Sequence, residues 1–182
     1  MENSIETRKI KDETILERWS VLIKNAHGNG EKIYNRTAEF IQELRAPGIN
    51  SEMVKLRTDR IERGGGFFTK FVERDYLMVT HDHLRDFRMY IGARDFGSAL
   101  YVSWYLTCEP NFLKKTISGL LTKDPQSFSF MFMSDIFRQE DLTAYVTAIH
   151  HALIDATKEV SESVGFDFTK VDQKSKGFLN IS

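Results

Sequence analysis

Between Phe87 and Thr107 the chain reads FRMYIGARDFGSALYVSWYLT, two alternating runs separated by a glycine-containing turn. In the second run Leu100, Val102, Trp104 and Leu106 alternate with Tyr101, Ser103, Tyr105 and Thr107. The first sets Phe87, Met89 and Ile91 against Arg88, Tyr90 and Gly92. A period of two places each set on its own side of an extended chain. Aromatic and branched residues at this density favour a sheet. The spacing predicts a hairpin turning through Ala93–Ser98, with Gly97 supplying a positive φ. A hairpin with large side chains on both faces needs cover on both, which constrains everything around it.

Either the rest of the chain supplies that cover, or one face awaits a partner. The chain's 182 residues suit a single domain, 41% hydrophobic and 28% charged, with 25 Lys and Arg against 26 Asp and Glu. Such a balance argues against a dedicated binder of phosphate backbones. Cys108 is the one cysteine, so no internal disulfide forms and a cysteine-only metal site is excluded. The opening residues lack the apolar stretch of a signal peptide, and no run is long and apolar enough to span a bilayer. The expectation is a cytoplasmic protein.

Taken in order, residues 1–11 read as a flexible N-terminus. Thr14 and Glu17 have capping-box spacing, and Ile15, Trp19, Leu22 and Ala26 follow at helical spacing. Ile33, Thr37, Phe40, Ile41 and Leu44 continue in the same phase up to Pro47-Gly48. Residues 12–46 are therefore expected to form a helical arm or a helical hairpin. From Glu52 the period becomes two, giving a strand through Val54, Leu56 and Thr58. Phe67–Val79 gives another, with a bulge at Glu73-Arg74-Asp75. After the hairpin come a short helix through Leu113–Leu121 and a strand over Ser127–Met133. A long helix from about Glu140 to Val164 carries Leu142, Val146, Ile149, Leu153, Ala156 and Val160 as one stripe. His150 lies at the edge of that stripe, and His151 stands four residues before Asp155. Grouped strands indicate an α+β fold with a mainly antiparallel sheet of about five strands. Residues 52–166 form its core domain and 167–182 a polar C-terminal tail, docked at most by Phe178 and Leu179.

Chemical leads are few. His81 and His83 follow a strand, with Asp86 close behind, a pattern that can hold a metal ion. Tyr76 to His83 resembles the start of the metallo-β-lactamase motif, in which a strand runs into Thr-His-x-His-x-Asp-His. Arg85 and Asp86 replace the family's Asp and third His, so the resemblance stops at His83 and a polar hairpin loop is the simpler reading. This would be a small metal-dependent hydrolase at its most active. No nucleophile elbow, phosphate loop or carboxylate pair is present, and no motif indicates a cofactor.

Two further patterns concern binding. Arg57, Arg60, Lys70, Arg74, Arg88 and Arg94 fall along the strands, where they would serve nucleic acid if the tyrosines stacked bases. Carboxylates interleave with them. Tyr90, Tyr101 and Tyr105 occupy the hairpin's second face, where charges are usual, and tyrosine is a favoured interface anchor. The leading expectation is a non-catalytic protein-binding or accessory module. It would act through this aromatic face or the N-terminal helices, on another protein or a second copy of itself.

Overall fold

The computed structural model describes residues 6–9, 14–62, 70–109, 136–177 and 179–182, with the backbone alone for 6–9, 58–62 and 70–71. Seven described strands form one sheet: β1 (Glu6–Lys9), β2 (Thr14–Ile23), β3 (Ile49–Glu62), β4 (Lys70–His81), β5 (Phe87–Phe96), β6 (Ala99–Cys108) and β7 (Lys176–Gly177). Helix α1 (Gly30–Glu43) lies between β2 and β3, and α2 (Ile136–Ser163) follows β6. The spatial order is β1-β3-β4-β5-β6-β2-β7, antiparallel throughout except for β1 against β3. The fold is α+β, with a long C-terminal helix on the sheet. Among the described residues no helix is long and apolar enough to cross a membrane.

The central hairpin forms as its alternation dictates, though β5 runs on to Phe96 and the turn is only Gly97-Ser98. Gly97 has φ +62°. Glycine in the first central position of a two-residue turn matches the twist of the flanking strands. Phe87, Met89, Ile91, Val102, Trp104 and Leu106 are buried on the side that both helices cover. Helix α1 contributes Ile33 and Ile41, and α2 contributes Leu142, Val146, Ile149 and Leu153. Arg36 of α1 pairs with Glu159 of α2 at 2.7 Å, fastening the helices to each other. Helix α1 ends at Glu43, and Arg45 and Gly48 take positive φ on either side of Pro47 as the chain turns into β3.

Thr14–Ile23 corrects the helical reading of the first half of 12–46. It is a strand paired with β6 from Thr14↔Cys108 to Ile23↔Leu100, with one extra residue at Leu16. Trp19, Val21 and Ile23 face the helices; Ile15 and Leu22, which the helical stripe would bury, are exposed. A ten-residue amphipathic run fits either period, and ladder pairing with the exposed edge of β6 decides between them. Glu17, read as half of a capping box, is fully buried instead. Its carboxylate accepts from Ser175 Oγ, from the Leu179 amide at 2.8 Å and from the Asn180 amide at 3.2 Å. The C-terminal segment is thereby docked along β2. Trp19 Nε1 donates to the Asp172 carbonyl at 2.8 Å, and Ile181 is buried beside it.

Glu73-Arg74-Asp75 continues β4 in regular register with β3, so the bulge expected there is absent; the irregularity falls between Thr58 and Glu62 of β3. The short helix at Leu113–Leu121 and the strand at Ser127–Met133 lie outside the described residues.

His150 is not at the edge of the α2 stripe but fully buried beneath it. Its ring meets those of Trp19 and Trp104 edge-on at 5.9 and 5.7 Å, and its Nδ1 accepts from Trp104 Nε1 at 2.9 Å. The proton is therefore on Nε2, which faces the Gln173 carbonyl without closing a hydrogen bond. Burial, then the neighbouring His151, hold the His150 pKa down at about 4 against 6.5 ordinarily. The unfolded chain thus takes up this proton more readily than the fold does. The resulting stability is complete above pH 6.5 and is lost as pH falls from there towards 4, by up to about 3 kcal/mol. His150→Phe should lower stability near neutrality by about 1–3 kcal/mol, since Trp104 loses its acceptor. Urea unfolding across this pH range should show the variant and wild-type curves converging in acid.

Candidate functional site

Both helices cover one side of the sheet, so the residues that alternate outwards meet a different environment. Three cross-strand rows can be read from the register. Leu22, Tyr101 and Arg94 form the first; Ser20, Ser103 and Gly92 the second; Arg18, Tyr105 and Tyr90 the third. The middle row is made of small residues and makes a furrow between two taller ones. Gly92 is required there. A Cβ at this position would stand 2.9 Å from Tyr76 Cε1 and 3.4 Å from Ser103 Oγ.

The three tyrosines singled out in the sequence do not share one fate. Tyr90 is only 4% exposed and packs with Val54, Leu56, Met78 and Tyr76. It belongs to a small second core and meets Tyr76 edge-on at 6.3 Å. Tyr101 and Tyr105 are half-buried and form a ridge across the furrow. The Tyr105 hydroxyl bonds with Tyr101 and Ser103; burial first, and then the bond to Tyr101, raise its pKa above 10. The Tyr105 phenol stays protonated and acts as a hydrogen-bonding group, not as a base.

A cavity flanks the ridge on each side. The larger, about 290 Å³, is lined by Tyr76, Gly92 and Ser103 below and by Tyr101, Tyr105, Arg74 and Arg94 around the mouth. It exists because β4 and β5 part company: their register holds from Leu77↔Ile91 to Thr80↔Arg88 and no further towards the turn. Tyr34 of α1 plugs the gap from the helix side. Its hydroxyl accepts from the Ala93 amide at 2.9 Å and lies 3.0 Å from the Asp75 carbonyl. The smaller cavity, about 190 Å³, lies over Ser20 between the tyrosine ridge and the C-terminal segment, with Arg18, Asp172, Lys174 and Lys176 around it.

The expected arginines separate in the same way. Arg74 and Arg94 line the larger cavity, and the Arg94 guanidinium lies 5.2 Å over the Tyr101 ring. Arg88 is bound to Glu109, and Arg57 alternates to the side opposite Arg74. The side chains of Arg60 and Lys70 lie outside the described residues. Arg18, Lys174 and Lys176 escaped the sequence reading. Arg18 falls in the run whose spacing reads as a helix, and the two lysines belong to a tail whose docking depends on Glu17, 158 residues away from Ser175.

His81 and His83 sit at the β4–β5 connection with ring centroids 5.8 Å apart. The His83 amide donates to His81 Nδ1 at 3.2 Å, and Asp86 accepts from Arg138 at 2.9 Å, turned towards α2. Among the described residues no three His, Cys, Asp or Glu side chains gather as a metal site. Neither cavity lining contains a histidine or cysteine.

No protein-family model, curated protein or solved structure matches the chain.

Gly92→Ala tests the furrow. The added methyl should push the Tyr76 ring off the floor, cost about 1–3 kcal/mol in urea unfolding, and shift the Tyr76 ring resonances.

Proposed function

We propose that the protein is a non-catalytic binding module that takes a partner protein on the outward face of its sheet, centred on Tyr101 and Tyr105. The observation that carries this reading is that two half-buried tyrosines form the common wall of two cavities, on the face opposite α1 and α2. Amphipathic rings with few rotatable bonds suit such anchoring. The lining supplies hydroxyls, guanidinium and ammonium groups and one carboxylate per cavity, with no histidine or cysteine to activate a hydroxyl nucleophile.

Nucleic acid is the second reading, favoured by Arg18, Arg74 and Arg94 around the two tyrosines. Metal-dependent hydrolysis at His81 and His83 has less behind it, since Asp86 is engaged by Arg138.

The test is to titrate isotope-labelled protein with pooled short peptides and follow its amide resonances. Shifts should gather on β2, β5 and β6 at Arg18, Ser20, Gly92, Arg94, Tyr101, Ser103 and Tyr105. Shifts gathering on α1 and α2, or none at millimolar peptide, would overturn the reading.

A further inference from the structure

Five cations stand around the two cavities. Arg36, Arg88, Arg138 and Lys170 each pair with a carboxylate. Arg18, Lys174 and Lys176 on one side of the ridge, and Arg74 and Arg94 on the other, take part in no ion pair among the described residues. Each cavity carries one carboxylate, Asp172 in the smaller and Asp75 in the larger. Asp172 is partly spent, because its Oδ1 accepts from the Lys174 amide at 3.0 Å. Both compartments are left with positive charge in a chain whose formal net charge is −1. Like charges gathered around a recess raise the local concentration of an anionic ligand.

The rings decide what kind of anion fits. Base stacking needs an open aromatic face. Arg94 lies over one face of Tyr101, and Tyr76 lies over Gly92 and edge-on to Tyr90. What the furrow presents instead are hydroxyls and charged donors, which match carboxylates and peptide groups.

Resting on the binding role proposed above, we infer that the ligand is an acidic, extended polypeptide segment that crosses the tyrosine ridge and places one carboxylate in each compartment. Geometry sets the spacing. The compartments are centred near β2 and near the β4–β5 gap, with β6 between them. Neighbouring strands lie about 4.8 Å apart, so the compartments are separated by roughly 10–14 Å. An extended chain advances about 3.3 Å per residue and returns to the same face at every second one. Two acidic residues four positions apart span about 13 Å and face the same way. The residue midway between them meets Tyr101 and Tyr105.

The experiment uses fluorescein-labelled peptides with two glutamates at separations from one to six in a serine and glycine background, read by fluorescence anisotropy. Matching glutamine peptides and an oligothymidylate are run beside them. Binding should be tightest at a separation of four and weaker at three and five, where the second side chain faces away. It should fall by about tenfold in an Arg94→Gln, Lys174→Gln double variant and fall further with added salt. Circular dichroism and the unfolding midpoint confirm that this variant is folded. Equal binding of the glutamine peptides, with resonance shifts still on the tyrosine face, would overturn the acidic ligand while leaving the binding role intact. Tighter binding of oligothymidylate would overturn it in favour of nucleic acid. No binding by any probe, with no shifts on that face, would overturn both.

Discussion

The hydrogen bond from Trp104 Nε1 to His150 Nδ1 is the point on which the rest of the structure turns. Trp104 lies opposite Trp19 in the β2–β6 pairing, so the histidine of α2 descends between the two indoles. Only one tautomer serves, and a charged ring would lose its acceptor role. That single contact sets the rotation of α2 on the sheet. Tyr145 sets it a second time, donating to the Val79 carbonyl at 2.6 Å further along the same helix. With α2 held twice, α1 is held through Arg36 and Glu159, and the inward side of the sheet is closed.

Closing one side determines what the other can do. Strand alternation means that Tyr101 and Tyr105 are immediate neighbours of Val102, Trp104 and Leu106, yet share no packing partner with α2. The inward residues answer to the core; the outward ones are released from it. Where β4 and β5 diverge and Gly92 leaves the floor low, the sheet itself becomes concave. The C-terminal segment, held down by Glu17 and Trp19, brings Lys174 and Lys176 to the far side of the ridge. A buried carboxylate binding three donors thus positions the cationic wall of the smaller cavity. The site depends on tertiary structure at each of its edges.

The sequence made the hairpin plain because its period of two runs unbroken through both arms and its turn carries glycine in the required place. The long helix was as plain, since its apolar stripe outlasts any strand. The β2 segment was not, because ten residues of TILERWSVLI satisfy both periods and Thr14-x-x-Glu17 imitates a helix start. Only pairing with β6, whose partner residues lie 77 to 94 positions on, resolves it. Tyr101 and Tyr105 were found by their outward register, but nothing local distinguished them from Tyr90, whose burial arises from Val54, Leu56 and Met78 on other strands. Lys174 and Lys176 carried no signal at all, because a polar tail becomes a wall only when a distant glutamate anchors it. The His81 and His83 pattern was legible as letters, while the engagement of Asp86 by Arg138 needed the fold.

On the binding role proposed for it, the outward ridge serves a ligand, while the helix-facing side of the hairpin folds the protein. Urea unfolding of the Tyr101→Thr, Tyr105→Thr double variant tests this division most directly, since threonine keeps a hydroxyl and suits a strand. A ridge held for binding predicts a combined loss of less than about 2 kcal/mol, with a normal cooperative transition. A loss above about 4 kcal/mol, the range in which core aromatics fall, would make these tyrosines part of the core and contradict the account.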